Sequence, residues 1–205
     1  MKYEIEFNVT TFCQAKCLSC VRTILINYNN GFEIAHSNLD KFINSCNNLD
    51  IDPEECSIAL CGELGDPMMH PNIDKIITLF TDKGYSVVIN TNGGLRSPSF
   101  YAELAKNPKL SLTFGIDGLD HDINWKYREG VDFQRAWSNM LSWFSNSRRG
   151  SWTFLVFDWN KEQILDASAI AARLHIPLSI IINSRDYGYV GDDERDRLEK
   201  IINDL

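Results

Sequence analysis

Cys13, Cys17 and Cys20 stand at C-x3-C-x2-C spacing in a chain of 205 residues, close enough for one short loop to wrap one inorganic centre. An iron-sulfur cubane takes one cysteine thiolate per iron, so three thiolates leave one iron open to an exogenous ligand. That open position is where chemistry can occur. The same thiols could instead belong to a zinc site, which wants four ligands and would recruit His36, His70 or Cys61. Spacing alone leaves both readings open. The other cysteines, Cys46 and Cys56, are expected to be buried, Cys46 on a helix face, and the crowding of three thiols is that of a metal site rather than a disulfide framework.

Positioning such a loop takes a scaffold, and the chain alternates β-like runs with helical periods, the pattern of βα units around a parallel sheet. Six strands are expected: Tyr3 to Val9, Cys56 to Cys61, Ser86 to Thr91, Leu110 to Ile116, Trp152 to Phe157 and Leu178 to Ile182, most of them apolar runs suited to burial on both faces. Leu39, Phe42, Ile43 and Cys46 repeat at helical spacing behind a Ser37 cap. Ile73, Ile76, Ile77 and Phe80 do so between Pro71 and a stopping Gly84. A short helix starts at Ser97-Pro98, the longest stripe runs from Phe133 to Phe144, another from Ile164 to Leu174, and Leu198 to Leu205 closes the chain. No repeat or linker interrupts this order, so residues 1–205 are expected to form one domain. Periodicity does not separate an open sheet from an incomplete barrel. In either, ligands gather at the carboxyl ends of the strands.

The cysteine loop leaves the first strand, and polar segments come after the others. Cys61-Gly62-Glu63-Leu64-Gly65-Asp66-Pro67 follows the second strand, Thr91-Asn92-Gly93 the third, and Ile116-Asp117-Gly118 with Tyr127-Arg128-Glu129-Gly130 the fourth. Together these resemble the radical S-adenosylmethionine (SAM) superfamily, closest in motif style to the branch with peptide-maturing enzymes and the molybdenum-cofactor cyclase. The resemblance implies an α/β fold, an incomplete (β/α)6 TIM-like barrel. It also implies an enzyme whose single [4Fe-4S] cluster is held by Cys13, Cys17 and Cys20. SAM would chelate the fourth iron and be cleaved reductively to a 5′-deoxyadenosyl radical that abstracts a substrate hydrogen.

By position, Ser19, Gly62, Glu63, Thr91, Asn92, Asp117, Arg128 and Val156 would bind SAM: Ser19 and Val156 beside the adenine, Gly62 and Glu63 at the ammonium, which needs acceptors, Thr91 and Asn92 near the carboxylate and ribose, Asp117 at a ribose hydroxyl, and Arg128 at a carboxylate. Asp117 and Arg128 could equally form a structural ion pair, and Val156 could be simple core. Two positions depart from the family: Cys61 stands where its first Gly does, and Gly115 where a Ser commonly contacts SAM. Asn183 and Arg185 lie just after the last strand and could meet substrate.

The resemblance further implies a flavodoxin- or ferredoxin-like reductant, and the absence of a cysteine-rich extension suits a large substrate such as a peptide or protein. Rival readings are a non-catalytic metal module (a zinc-stabilised adaptor or an iron-sulfur electron carrier), a SAM-binding remnant, and a glycyl-radical activase, although Val21-Arg22 departs from the His/Tyr-Asn pair usual after the third cysteine of activases. Composition bounds the partners. Twenty basic against 28 acidic residues give a net charge of −8, which disfavours a nucleic-acid backbone, and no stretch approaches a membrane span or a secretory leader, so the cytoplasm is the expected compartment.

Overall fold

Parallel strands in the sequential order β1-β2-β3-β4-β5-β6 form a single sheet: β1 Tyr3–Glu6, β2 Cys56–Leu60, β3 Ser86–Thr91, β4 Leu110–Gly115, β5 Gly150–Val156 and β6 Leu178–Ile182. The computed structural model describes residues 3–27, 33–47, 51–61, 63–184 and 188–205. Right-handed crossovers in an unreversed strand order carry every connection to the same side. The sheet therefore curls into a half-barrel with helices on its convex face, the incomplete (β/α)6 barrel, and not into an open sheet wound on both faces.

The helices are α1 Val21–Asn27, α2 Leu39–Cys46, α3 Ile73–Asp82, α4 Pro98–Leu104, α5 His121–Trp125, α6 Phe133–Asn146, α7 Ile164–Leu174 and α8 Asp192–Asn203. Ser97 caps α4 as expected, with Pro98 in its first turn. The cap of α2 is Asn38, not Ser37: its Oδ1 accepts from the N–H of Lys41 at 3.0 Å. The short helices α1 and α5 were not foreseen, because neither is long enough to show a period. Among the described residues, no helix is long and apolar enough to cross a membrane.

The two faces of the sheet differ sharply. Ile58, Leu60, Val87, Ile89, Leu112, Phe114, Trp152, Phe154 and Val156 are fully buried against the helices, with Phe80, Tyr101, Met140 and Trp143 among their neighbours in one core. The alternate positions, Ser86, Asn90, Ser111, Thr113, Ser151, Thr153 and Ser179 with the apolar Val88, Leu155 and Ile181, are half-buried or exposed and face the concave side. The expectation of burial on both faces holds for β2, all five of whose residues are buried, and is corrected for β3 to β6. Strands with a period of two place apolar atoms against the helices and short hydroxyls on the open side.

Candidate active site at the carboxyl ends of the strands

The ladder between β1 and β2 continues past β1 through the N–H of Phe7, which donates to Ala59 O at 2.9 Å, and then the cysteine loop begins. Backbone bonds hold it on three sides. Thr11 N donates to Ala35 O (2.8 Å) and Ser37 N to Val9 O (2.9 Å), Asp66 N donates to Phe12 O (2.8 Å), and Lys16 N donates to Glu129 O (2.8 Å). Arg22, buried on α1, donates from Nε to Thr11 O at 2.6 Å. Gly65 makes the approach of the second loop feasible: a β-carbon there would overlap the Thr10 carbonyl oxygen and stand 2.8 Å from that of Phe12.

The loop brings all three cysteines to one cavity of about 370 Å³, lined also by Cys61, Asp66, Asn92, Gly115 and Arg128. All six cysteines of the chain are free. Burial pushes the Cys13 thiol up to about 12, with the charge of Asp66 adding to it; burial takes Cys17 to about 11 against the pull of Arg128. Without metal these groups are neutral thiols, and a cation entering the cavity must displace their protons. Burial, with Glu6, Glu4 and Glu63 nearby, holds Cys61 at about 11. The histidines that a zinc site would recruit do not line this cavity. His70 accepts from Asn72 N at Nδ1 (3.2 Å) and faces Ser37 O with Nε2 (3.1 Å), while His36 meets the Thr10 hydroxyl at 2.8 Å and stacks on Phe12. Among the described residues, no group of three or more His, Cys, Asp or Glu side chains is drawn together as a single-ion site.

Behind the thiols lies Asp66, 3% exposed, which accepts from the Thr91 hydroxyl (2.9 and 3.0 Å), Asn92 N (2.9 Å) and Met68 N (2.9 Å). Burial raises its pKa against those donors. The Thr91 hydroxyl is therefore spent on Asp66, and Asn92 turns its amide toward Cys13 and Gln14.

Across the cavity, Asp117 is fully buried and joins Arg128 through Oδ2–Nε at 2.7 Å, while Oδ1 accepts from Leu155 N at 2.8 Å. Both of its oxygens are engaged, Oδ2 by the Arg128 ion pair and Oδ1 by the end of β5. Burial opposes the Arg128 charge, but Asp117 outweighs it and holds the guanidinium cationic above its ordinary range. Gly115 has its reason here: a β-carbon at that position would stand 2.5 Å from one Nη of Arg128, so the guanidinium fills the space a serine would need.

A second cavity of about 700 Å³ shares Cys17, Cys20, Arg128, Thr153 and Ile181 with the first, and Ser19, Glu63, Tyr127, Leu155, Ile182 and Asn183 are among the residues it adds. Ser19, Glu63 and Arg128 thus line one cavity. Val156 does not: it is fully buried in the core, and strand alternation gives the cavity Thr153 and Leu155 instead. Gly62 and Arg185 lie outside the described residues. Residues that sequence reasoning passed over are Gln14, Gly65, Asp66 and Leu155. The Gly-Asp-Pro that closes the loop after β2 and the Ser-x-Thr-x-Leu alternation of β5 are the signals that could have found three of them.

No protein-family model and no curated protein matches the chain. Among solved structures, it superposes on Streptococcus suis SuiB bound to S-adenosylmethionine with a TM-score of 0.76 at 16% identity, covering 99% of this chain and 44% of that one. SuiB bound to the precursor peptide SuiA gives 0.75 at 16% identity, covering 99% and 45%. Native anSMEcpe with bound AdoMet and Cp18Cys peptide gives 0.75 at 16% identity, covering 100% and 59%. The chain spans about half the length of these structures. It has the fold of the radical SAM enzymes they represent.

Proposed function

We propose that the protein is a radical SAM enzyme, with residues 1–205 as its core domain, acting in a reducing, cytoplasmic compartment where its thiols stay free. The observation that carries this reading is the convergence of Cys13, Cys17 and Cys20 on one cavity that shares lining residues with a second, lined by Ser19, Glu63 and Arg128, at the carboxyl ends of a half-barrel. The donor set fits a cluster with one open iron: three thiols from one loop, with Cys61 of the second loop on the same cavity wall and no histidine in the lining of either cavity. When bound, the cluster and SAM would supply a one-electron reductive cleavage yielding a 5′-deoxyadenosyl radical that takes a hydrogen atom from substrate.

The chain's own part is placement. Cys13, Cys17 and Cys20 hold the metal, and Arg128, fixed by Asp117, offers its Nη groups to a carboxylate on the shared wall of the two cavities. Gly62 and Glu63 receive the ammonium, and Ser19 with Leu155, in the place first given to Val156, flanks the adenine. Thr91 and Asp117 act from behind, as supports. A flavodoxin- or ferredoxin-like protein would deliver the electron.

For the substrate, a peptide or protein is the reading supported best. Its support is the concave face of half-buried Ser and Thr residues, which offers hydrogen bonds along an extended chain, and the peptides bound by proteins of this fold. The test is anaerobic reconstitution with iron and sulfide, addition of dithionite and SAM, and chromatography for 5′-deoxyadenosine. Product from the wild type and none from Cys17→Ala is the expected result. Zinc in the purified protein with no SAM binding would overturn the enzyme reading in favour of a metal module.

A further inference from the structure

Asn92 lies in the turn after β3, 5% exposed, and its amide has only one orientation that satisfies its neighbours. Gly94 N donates to Oδ1 at 2.9 Å, and Gln14 Nε2 donates to the same oxygen at 2.6 Å. A backbone N–H only donates, so the atom facing it is the oxygen, and the amide nitrogen is turned away. On that far side stand Cys13 Sγ at 3.6 Å and Gln14 Oε1 at 3.4 Å. The backbone beneath is fixed as well, since Asn92 N donates to Asp66 Oδ2 at 2.9 Å.

The geometry points to Asn92 as a positioning residue that donates an N–H···S hydrogen bond to Cys13 when that sulfur is a cluster ligand, with Gln14 as the clamp that orients it. This rests on the cluster-binding reading above. In the metal-free protein the Cys13 thiol faces Gln14 Oε1 at 3.9 Å. Loss of its proton to metal binding makes Sγ an anionic acceptor, and the Asn92 amide is already aimed at it. Hydrogen bonds to ligand sulfurs help set the potential of such clusters, because they favour the state carrying more negative charge. Asn92 therefore makes the cluster easier to reduce.

The experiment uses the full chain reconstituted anaerobically as wild type, Asn92→Ala and Gln14→Leu, with iron and sulfide assayed and the midpoint potential taken by titration followed by EPR. Asn92→Ala should bind wild-type amounts of iron and show a lower potential, equivalent to a roughly tenfold fall in the reduced-to-oxidised ratio at fixed potential, or about 59 mV for one electron. Gln14→Leu should shift it the same way by less, because Gly94 N still holds Oδ1. An unchanged potential in fully loaded Asn92→Ala overturns the inference and leaves the cluster reading intact. If Asn92→Ala takes up no iron, the wild type decides: protein labelled with 15N in its asparagine side chains should show a 15N coupling to the reduced cluster by pulsed EPR, and its absence overturns the inference. A wild type that binds no cluster overturns the proposed function itself.

Discussion

The ends of β1 to β3 and the ends of β4 to β6 build their halves of the site by different means. The first half is tied together by backbone hydrogen bonds between loops and presents protonated thiols, held neutral by burial. The second turns on one buried ion pair, Asp117 with Arg128, and presents a fixed positive charge to the larger of the two cavities. Metal and small ligand thus make separate demands: a soft cation wants a rigid cradle that gives up protons, and an anionic group wants a charge already in place. Four perturbations probe this division of labour.

The largest effect is expected from Asp117→Ala. Leaving Arg128 without its partner should cost about 3–5 kcal/mol, seen as a fall in denaturation midpoint, and should weaken SAM binding more than iron binding. Equal loss of both would deny that the halves are separable. Gly65→Ala acts on the other side. Forcing a β-carbon into the Thr10 and Phe12 carbonyls should cost about 1–3 kcal/mol and lower the iron content, with calorimetry and iron assay as the checks. Unaltered iron loading would show that the loops have more slack than their contacts indicate.

Adjacent residues on β5 separate core from site. Val156→Ala should cost about 2 kcal/mol of stability and leave SAM affinity alone, whereas Leu155→Ala should cost about 1 kcal/mol or less and weaken SAM binding. Calorimetry of unfolding and of binding distinguishes them, and the reverse pattern would restore Val156 to the cavity.

The smallest effect is a pH dependence of the metal-free protein. Thiols whose pKa is raised on folding stabilise the folded state fully below their ordinary value of 9.0, and that contribution is lost as pH rises toward about 11 for Cys17 and about 12 for Cys13. Denaturation midpoints should therefore fall above pH 9 in the wild type and fall less in Cys13→Ala. Identical slopes would show that burial of the thiols is overstated.

Much of the fold was legible because its signals are local. Cap and proline at Ser97-Pro98, the stripe from Phe133, and strands β3 and β6 fall where the sequence places them. The alternation of Ser and Thr with large apolar residues, as in Leu110-Ser111-Leu112-Thr113-Phe114, was equally visible but reads as a run buried on both sides when only its apolar content is weighed. That single misreading explains Val156, since face assignment decides which residue of a strand meets the cavity. The cysteine positions were readable from spacing, but their support was not. That Asp66 receives Thr91, or that Arg128 occupies the space above Gly115, depends on residues 25 and 13 positions apart meeting in space.

The proposed function requires that three thiols hold a cluster with one iron left for SAM. The direct measurement is EPR of the anaerobically reconstituted and dithionite-reduced protein, recorded before and after SAM is added, alongside iron and sulfide analysis. The expected result is about four irons and about four sulfides per chain, the content of one cubane, and a spectrum that changes when SAM binds. A full cluster whose spectrum ignores SAM, or a colourless protein carrying zinc, would contradict the claim.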